Sequence, residues 1–222
     1  MSGTELYAIS NFTFLTGASH PEEMVIRACE LGLSSIAVTD VNSFAGIVRG
    51  HAAAKELGIR YIVGVKLVLS CGGVILAYPR TREAYGRLCR LLTLGKRRSE
   101  KGRCELHLED VLEFGEGSVL ILPVGAETFA LAQALKDQFR RHVYTGLQPR
   151  YDGDDAAHFA RDQKLAERVG LPLVTLGGAL MHKASRVRLA DVLSCIRERT
   201  VIDRLGKLAQ PNAERRLKSE FE

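Results

Sequence analysis

The stretch SSIAVTDVNSFAG, Ser34 to Gly46, decides the fold. Its apolar run, Ile36 to Val38, reads as a buried strand that ends at Thr39-Asp40. Asn42-Ser43 then forms a turn that opens a helix. Strand, carboxylate, turn and helix make the repeating unit of α/β proteins, in which chemistry sits at the carboxyl ends of the strands. Asp40 stands on such an end, and the rest of the chain has to supply its partners.

Working outward, the alternation continues on both sides. Leu6 to Ser10 reads as a strand. Pro21 to Leu31 reads as a helix, with Pro21 at its first position, Glu22 and Glu23 at its positive end and Gly32 at its stop. Phe44 to Leu57 is the next helix, closed by Gly58, and Tyr61 to Val65 the next strand. Val68 to Tyr78 reads as two short strands around Gly72-Gly73. A helix over Arg82 to Leu94 is followed by a basic loop, Gly95 to Arg103. Further on come the short helix LHLEDVLEF, the buried strand SVLILPV, a helix over Glu127 to Phe139 and a strand over Val143 to Leu147. A helix with an acidic first turn, the strand LPLVTL and a helix over Ser185 to Arg197 complete the series. The polar tail, 201–222, is expected to form short helical pieces. With no break in composition, the pattern predicts a single α/β domain over 1–222 with a mainly parallel sheet, open or barrel-like.

The 222 residues suffice for one large domain or two small ones, and 46% apolar content supports an ordinary core. No apolar run reaches 18 residues, so no membrane span is expected. The start, MSGTELYAIS, lacks the basic-then-apolar order of a signal peptide. Five scattered cysteines without a C-x-x-C suggest neither disulfides nor structural zinc, and a reducing cytoplasmic setting is expected. The formal charge of +5 suits nucleic acid without requiring it. Basic residues bunch at Gly95 to Arg103 and at Ala213 to Lys218. These are either solvated segments or contacts to nucleic-acid phosphates or an acidic neighbouring domain.

The strand ends to inspect are Ser10-Asn11, Thr39-Asp40, Val65-Lys66, 148–150 and 177–180. A divalent metal needs several imidazoles or carboxylates converging on one point. Those ends offer Asp40. His51 and His158 fall in helices, His142 precedes a strand, and His107 lies within LHLEDVLEF. His20 and His182 lie near strand-end loops and are the plausible extra ligands, or else ordinary hydrogen-bonded loop histidines. There is no G-x-S-x-G, P-loop or H-E-x-x-H, and the glycine pairs in GGVIL and LGGAL read as turns.

Four stretches, ISNFTFLTGASHPEEMVIRACELGLSSIAVTD, AGIVRGHAAAKELGI, LTLGKRRSEKG and QPNAERRLKS, closely resemble the N-terminal PHP (polymerase and histidinol phosphatase) domain of bacterial family C DNA polymerases. The error-prone, damage-tolerant DnaE-type branch is the nearest match, from about Leu6 to Lys218. The resemblance implies a distorted (β/α)7 barrel whose active members hold a trinuclear zinc or manganese cluster. That cluster hydrolyses phosphoesters, in some polymerases as a proofreading 3′–5′ exonuclease.

Set against that pattern, the family's paired histidines of the first strand fall at Tyr7 and Ile9. Its Asp-His after the second strand is Asp40-Val41, its glutamate after the third falls at Lys66, and a middle-strand histidine falls at Arg150. The closing Asp-x-His falls at Gly178 and Leu180, with His182 two places beyond. One carboxylate does not hold three metals. An ion pair of Asp40 with Lys66, Arg150 or both is therefore expected in the vacated site, because an unpaired buried carboxylate is costly. Alternatively, both cations reach solvent, and apolar bulk fills the space.

The resemblance implies a non-catalytic PHP domain, without cofactor, that supports the core of an error-prone translesion polymerase. That core's magnesium-dependent nucleotidyl transfer would lie outside this chain. The implied partners are the rest of the polymerase chain, DNA and mutagenesis accessory proteins, in a setting of DNA repair and the SOS response. Lys96, Arg97, Arg98, Lys101 and Arg103 are the candidates for contact with DNA or with the neighbouring domain. The opposing reading is a residual phosphoesterase or exonuclease with one metal on Asp40, His20 and His182.

Overall fold

The computed structural model of the chain describes residues 3–125 and 128–222. These form a mixed α/β fold with seven α-helices and eight strands among the described residues. The chain divides into two compact units.

The first unit comprises Met1–Val63, Pro149–Asp155 and Gly177–Glu222. Its sheet is parallel throughout, in the order β1 (Thr4–Ala8), β2 (Ser35–Val38), β3 (Arg60–Val63). All four residues of the central strand β2 are buried, which explains its unbroken apolar run where a half-exposed strand would alternate. Helix α1 (Pro21–Glu30) contributes Met24, Val25 and Ala28, and α2 (Ile47–Leu57) contributes Ala54, to a cluster with Ala8, Ile36 and Val38. Glu23 reaches back to accept from the His20 amide at 2.8 Å, satisfying one of the unpaired donors at the start of α1. Helix α2 begins three residues later than the pattern predicts. Asn42 takes a left-handed φ of 47°, and the Ile47 amide closes a turn on the Phe44 carbonyl.

The tail differs from expectation. Short 3-10 turns occur at Ile202–Arg204 and Gly206–Leu208, but residues 215–217 run alongside 180–181. The Leu180 amide donates to the Arg215 carbonyl at 2.8 Å and the Leu217 amide to the Met181 carbonyl at 3.1 Å. Residue 179 in turn bridges to β1, with Ile9 N–H donating to Ala179 O at 2.8 Å. Leu217 is fully buried in the α1–α2 cluster, so burial of one apolar residue holds an otherwise charged segment extended.

The second unit comprises Gly64–Gln148 and Ala156–Leu176. Its sheet runs β4 (Val65–Val68), β5 (Val74–Pro79), β6 (Ser118–Pro123), β7 (Val143–Leu147), β8 (Leu173–Thr175). The first two pairings are antiparallel and the last two parallel. Helices α3 (Arg82–Arg97), α4 (Leu108–Phe114) and α5 (Thr128–Phe139) belong here, as does α6 (Asp155–Val169) apart from its first residue. Glu127, expected to start α5, lies outside the described residues. The final helix, α7 (Val187–Glu198), belongs to the first unit.

Two boundaries move for physical reasons. The strand expected over Tyr61 to Val65 breaks at Gly64 into β3 and β4, so Lys66 lies within β4, opposite Leu76, and not in a strand-end loop. Helix α3 continues through Gly95, Lys96 and Arg97, so the expected basic loop starts with its last turn. Gly95 is there for close approach and not to end the helix: a Cβ on it would meet Leu106 Cδ2 at 2.5 Å.

Candidate functional site

Asp40 follows the buried end of β2 and is 2% exposed. Its Oδ1 accepts from the Ser10 amide at 2.9 Å and from Thr13 Oγ1 at 2.7 Å, and its Oδ2 accepts from Ser10 Oγ at 2.6 Å. The Val41 amide donates to Thr13 Oγ1 at 2.9 Å, and the Phe12 amide to Ser10 Oγ at 3.2 Å. Each hydroxyl thus donates to the carboxylate while a backbone amide donates to it. Burial pushes the Asp40 carboxyl up from its ordinary value, and the Ser10 and Thr13 bonds work against that rise. Tyr61, on β3, has its phenol pushed up, first by burial and then by the Asp40 charge.

The expectation of a cationic partner for Asp40 names Lys66 and Arg150. Among the described residues the donors to Asp40 are the hydroxyls and backbone of Ser10 and Thr13, all neutral and all from the segment after β1. Arg150 is exposed, its backbone amide donating to Asp155 Oδ1 at 2.7 Å, and Lys66 is half-buried within β4. The hydroxyls of the turn 10–13 reach the carboxylate from the end of the neighbouring strand β1.

The other positions where the resemblance sets metal ligands carry no ligating side chain. Tyr7 is 4%, Ile9 2% and Leu180 5% exposed, and Val41 is half-buried. Gly178 has φ of 71°, a left-handed conformation that suits glycine. Among the described residues no group of three His, Cys, Asp or Glu side chains is placed to hold a metal ion. The residues present therefore do not fit a trinuclear cluster, and no metal-borne step is derived from them.

His20 and His182 are brought together, around Glu23. Ser19 Oγ lies 2.8 Å from His182 Nδ1 and accepts from the His182 amide at 3.0 Å. Glu23 Oε2 lies 4.0 Å from His182 Nδ1, and Glu23 Oε1 is paired with Arg186. His20 Nδ1 is 2.9 Å from Asn11 Nδ2, so it accepts there. Burial pushes the His182 imidazole down, the direction of a neutral structural histidine. Asn11, Ser19, His20, Glu23 and Arg186 are polar residues lining a cavity of about 270 Å³, which Leu189 and Leu193 also line.

Of the basic segment, Arg98 is committed within its own unit. Its guanidinium forms a two-pronged pair with Asp110, at 2.7 and 3.0 Å, and Asp110 also accepts from the His107 amide at 2.8 Å at the start of α4. Burial alone would raise the Asp110 carboxyl, but Arg98 and the His107 amide outweigh it and hold it below its ordinary value. Lys96, Arg97, Lys101 and Arg103 are exposed.

Sequence reasoning named Ser10 only as a strand end and Arg215 only within a basic run, and it missed Thr13. Ser10 and Thr13 carried a weak signal, as hydroxyls just past a strand end. The Arg215 guanidinium approaches the Gly178 carbonyl, at 3.4 Å.

Residues 5–145 match the family model of the PHP domain. The chain is 48% identical to an error-prone DNA polymerase of Ruegeria pomeroyi, over 98% of this chain and 24% of that protein. It is 43% identical to error-prone DNA polymerase 1 of Rhizobium meliloti, over 96% of this chain and 20% of that protein. The chain thus spans a quarter or less of the length of these curated relatives. Among solved structures it resembles an amidohydrolase from Chromobacterium violaceum with bound sulfate and no metal, with a TM-score of 0.57 and 16% identity over 79% of this chain and 86% of that one. It also resembles a protein described as a metal-dependent phosphoesterase from Bifidobacterium adolescentis, with a TM-score of 0.54 and 14% identity over 79% and 87%. At such identities the likeness concerns the fold alone.

Proposed function

The chain belongs to the PHP domain family, and on that premise we propose that it is a non-catalytic PHP domain of an error-prone translesion polymerase. In this reading it supports the polymerase core, which is its partner in the same longer chain, and takes no part in phosphoester hydrolysis. One observation carries the reading: the one carboxylate at the family's ligand positions has both oxygens held by Ser10 and Thr13. A metal would have to break a hydroxyl cage to reach it, and the neighbouring positions, Tyr7, Ile9, Val41, Gly178 and Leu180, offer no further donor of the needed type. Lys96, Arg97, Lys101 and Arg103 are proposed to meet DNA phosphates or an acidic domain face, and pairing of Asp40 with Lys66 or Arg150 is not needed to satisfy the carboxylate.

The test is metal analysis of the purified chain after equilibration with manganese and with zinc, combined with a single-strand exonuclease assay. The expected result is no stoichiometric metal and no metal-dependent cleavage. Cleavage that requires metal and disappears in Asp40→Ala would reverse the reading in favour of a residual nuclease.

A further inference from the structure

Helix α7 and the segment after β1 both line the cavity of about 270 Å³, and both belong to the first unit. The segment is pinned in place. The Asn11 amide donates to the Ser19 carbonyl at 2.8 Å, and the Ala18 amide to the Leu180 carbonyl at 2.8 Å. Arg197 ties it to α7, its guanidinium donating to the Leu15 carbonyl at 3.0 Å. Phe14, Leu15, Leu189 and Leu193 give the cavity its large apolar side chains. Phe14 is 82% exposed, and α7 carries the apolar surface outward through Val192 and Ile196, 47% and 57% exposed. At spacings of three and four residues, Leu189, Val192, Leu193 and Ile196 share one side of the helix.

The polar lining lacks one partner. Asn11 Nδ2 is spent on His20 Nδ1, and Asn11 Oδ1 is buried with no hydrogen-bond partner among the described residues. A buried acceptor left unmade is costly. The charges of the lining are matched, Glu23 being paired with Arg186. The cavity therefore suits an uncharged donor joined to apolar bulk, and a backbone N–H beside a large apolar side chain is such a group. The volume falls below the roughly 300–1,000 Å³ of pockets that enclose a whole small-molecule ligand, and matches a single anchoring side chain instead. Around the cavity the charge has one sign. Residues 183–208 hold seven Lys and Arg against three Asp and Glu, and Arg188, Arg199 and Arg204 are exposed. We propose that this face docks an acidic peptide segment of another protein. A leucine or phenylalanine of that segment fills the cavity, the backbone N–H beside it donates to Asn11 Oδ1, and the acidic flanks meet Arg188 and Arg199. A nucleic-acid strand is the weaker match, because its phosphates gain nothing from Leu189, Val192 and Ile196. The inference goes beyond the reading above and does not depend on it, since none of Asp40, Ser10 and Thr13 lines the cavity.

The test is fluorescence polarisation of the purified chain with a fluorescein-labelled seven-residue peptide, acidic at every position but a central leucine. Variants of the peptide carry phenylalanine, alanine or N-methyl leucine at the centre. Saturable binding is expected with leucine or phenylalanine, at least fivefold weaker with alanine and at least threefold weaker with N-methyl leucine. Leu189→Glu is expected to weaken binding at least tenfold, while Val48→Glu, at another exposed apolar residue, leaves it unchanged. Should Leu189→Glu fail to fold, the more exposed Ile196→Glu is expected to weaken binding at least threefold. No saturable binding, equal affinity with alanine at the centre, or equal affinity in the folded glutamate variant would overturn the proposal. So would three other occupants. Oligothymidylate binding that displaces the peptide and survives Leu189→Glu gives the face to nucleic acid. Self-association in sedimentation, abolished by Leu189→Glu, gives it to a second copy. Loss of peptide binding when the chain is extended to full polymerase length gives it to the rest of the polymerase. Metal uptake in the separate analysis would sink the non-catalytic reading and leave this one standing.

Discussion

Ser10 and Asp40 close the ends of the first two parallel strands on each other: Ser10 gives its amide to Asp40 Oδ1 at 2.9 Å and its hydroxyl to Oδ2 at 2.6 Å. A buried charge is thereby held by neutral donors, and each donor is left stranded if the carboxylate is removed. Asp40→Ala is expected to destabilise the chain by about 2–3 kcal/mol, the cost of leaving buried donors unmade. Urea unfolding measures it, and a loss below 0.5 kcal/mol, the range of ordinary surface substitutions, would remove the structural role given to this carboxylate.

Gly17 guards the same corner. A Cβ there would meet the Ser10 carbonyl oxygen at 2.1 Å, against backbone that has no easy retreat. Gly17→Ala is expected to cost about 2–3 kcal/mol by overpacking. Gly86, where a Cβ meets nothing within 4 Å, serves as the control. Its replacement by alanine in the middle of α3 is expected to stabilise by a few tenths to about 1 kcal/mol.

Two acids make the chain less stable as pH rises. Burial pushes Glu5 up to about 7, against the Tyr7, Gly177 and Leu6 amides that lower it, and Asp40 is raised as well. A carboxyl whose folded value lies above its unfolded one favours the folded chain at low pH and gives up that advantage as pH climbs through the folded value. For Glu5 the window runs from about 4.5 to about 7. Glu5→Gln is therefore expected to flatten the fall in melting temperature across that window, and Asp40→Asn to flatten it from just above the ordinary aspartate value. Parallel curves for Glu5→Gln and the parent chain would show that Glu5 titrates normally.

The Arg98–Asp110 pair predicts the opposite sign. Asp110 is held down, so its contribution is present above the ordinary carboxylate value and disappears as pH falls through the lowered one. Arg98 keeps 30% of its side-chain surface in water, so solvent screening limits the pair, and Arg98→Ala is expected to lower the melting temperature at neutral pH and to leave it unchanged at a pH below the lowered Asp110 value. The same substitution at Lys101 or Arg103 is expected to stay within about 0.5 kcal/mol.

If the basic segment meets DNA, four of its cations are available rather than five. Reversing Lys96, Arg97, Lys101 and Arg103 should then make the plot of log affinity against log salt for single strands shallower by up to about 3, at roughly 0.7 per phosphate contact. An unchanged slope would assign the segment to folding or to a domain contact.

Most of the strand–helix series was legible along the chain, because its signals are local. The apolar run of β2, Pro21 and the paired glutamates of α1, and the glycine stops at Gly32 and Gly58 act within a few residues of where they stand. The reading failed where a glycine or a charge run had two meanings. Gly95 continues a helix because Leu106 packs on it, and the tail run extends because Leu217 is buried. The same limit governs the candidate site. Asp40 could be placed on a strand end from its own segment, but its donors lie 30 and 27 residues away, and no local pattern pairs them with it.

The sequence by itself determined that the chain is an α/β protein of mainly parallel strands whose second strand ends in the carboxylate Asp40. Tertiary structure alone decided which groups answer that carboxylate, that Arg98 belongs to Asp110, and that Arg215 arrives at Gly178 from 37 residues further along the chain. Secondary structure follows from periodicity and caps, which short segments carry. Hydrogen-bond and charge partners follow from which segments the buried core brings side by side, and that is a property of the whole chain.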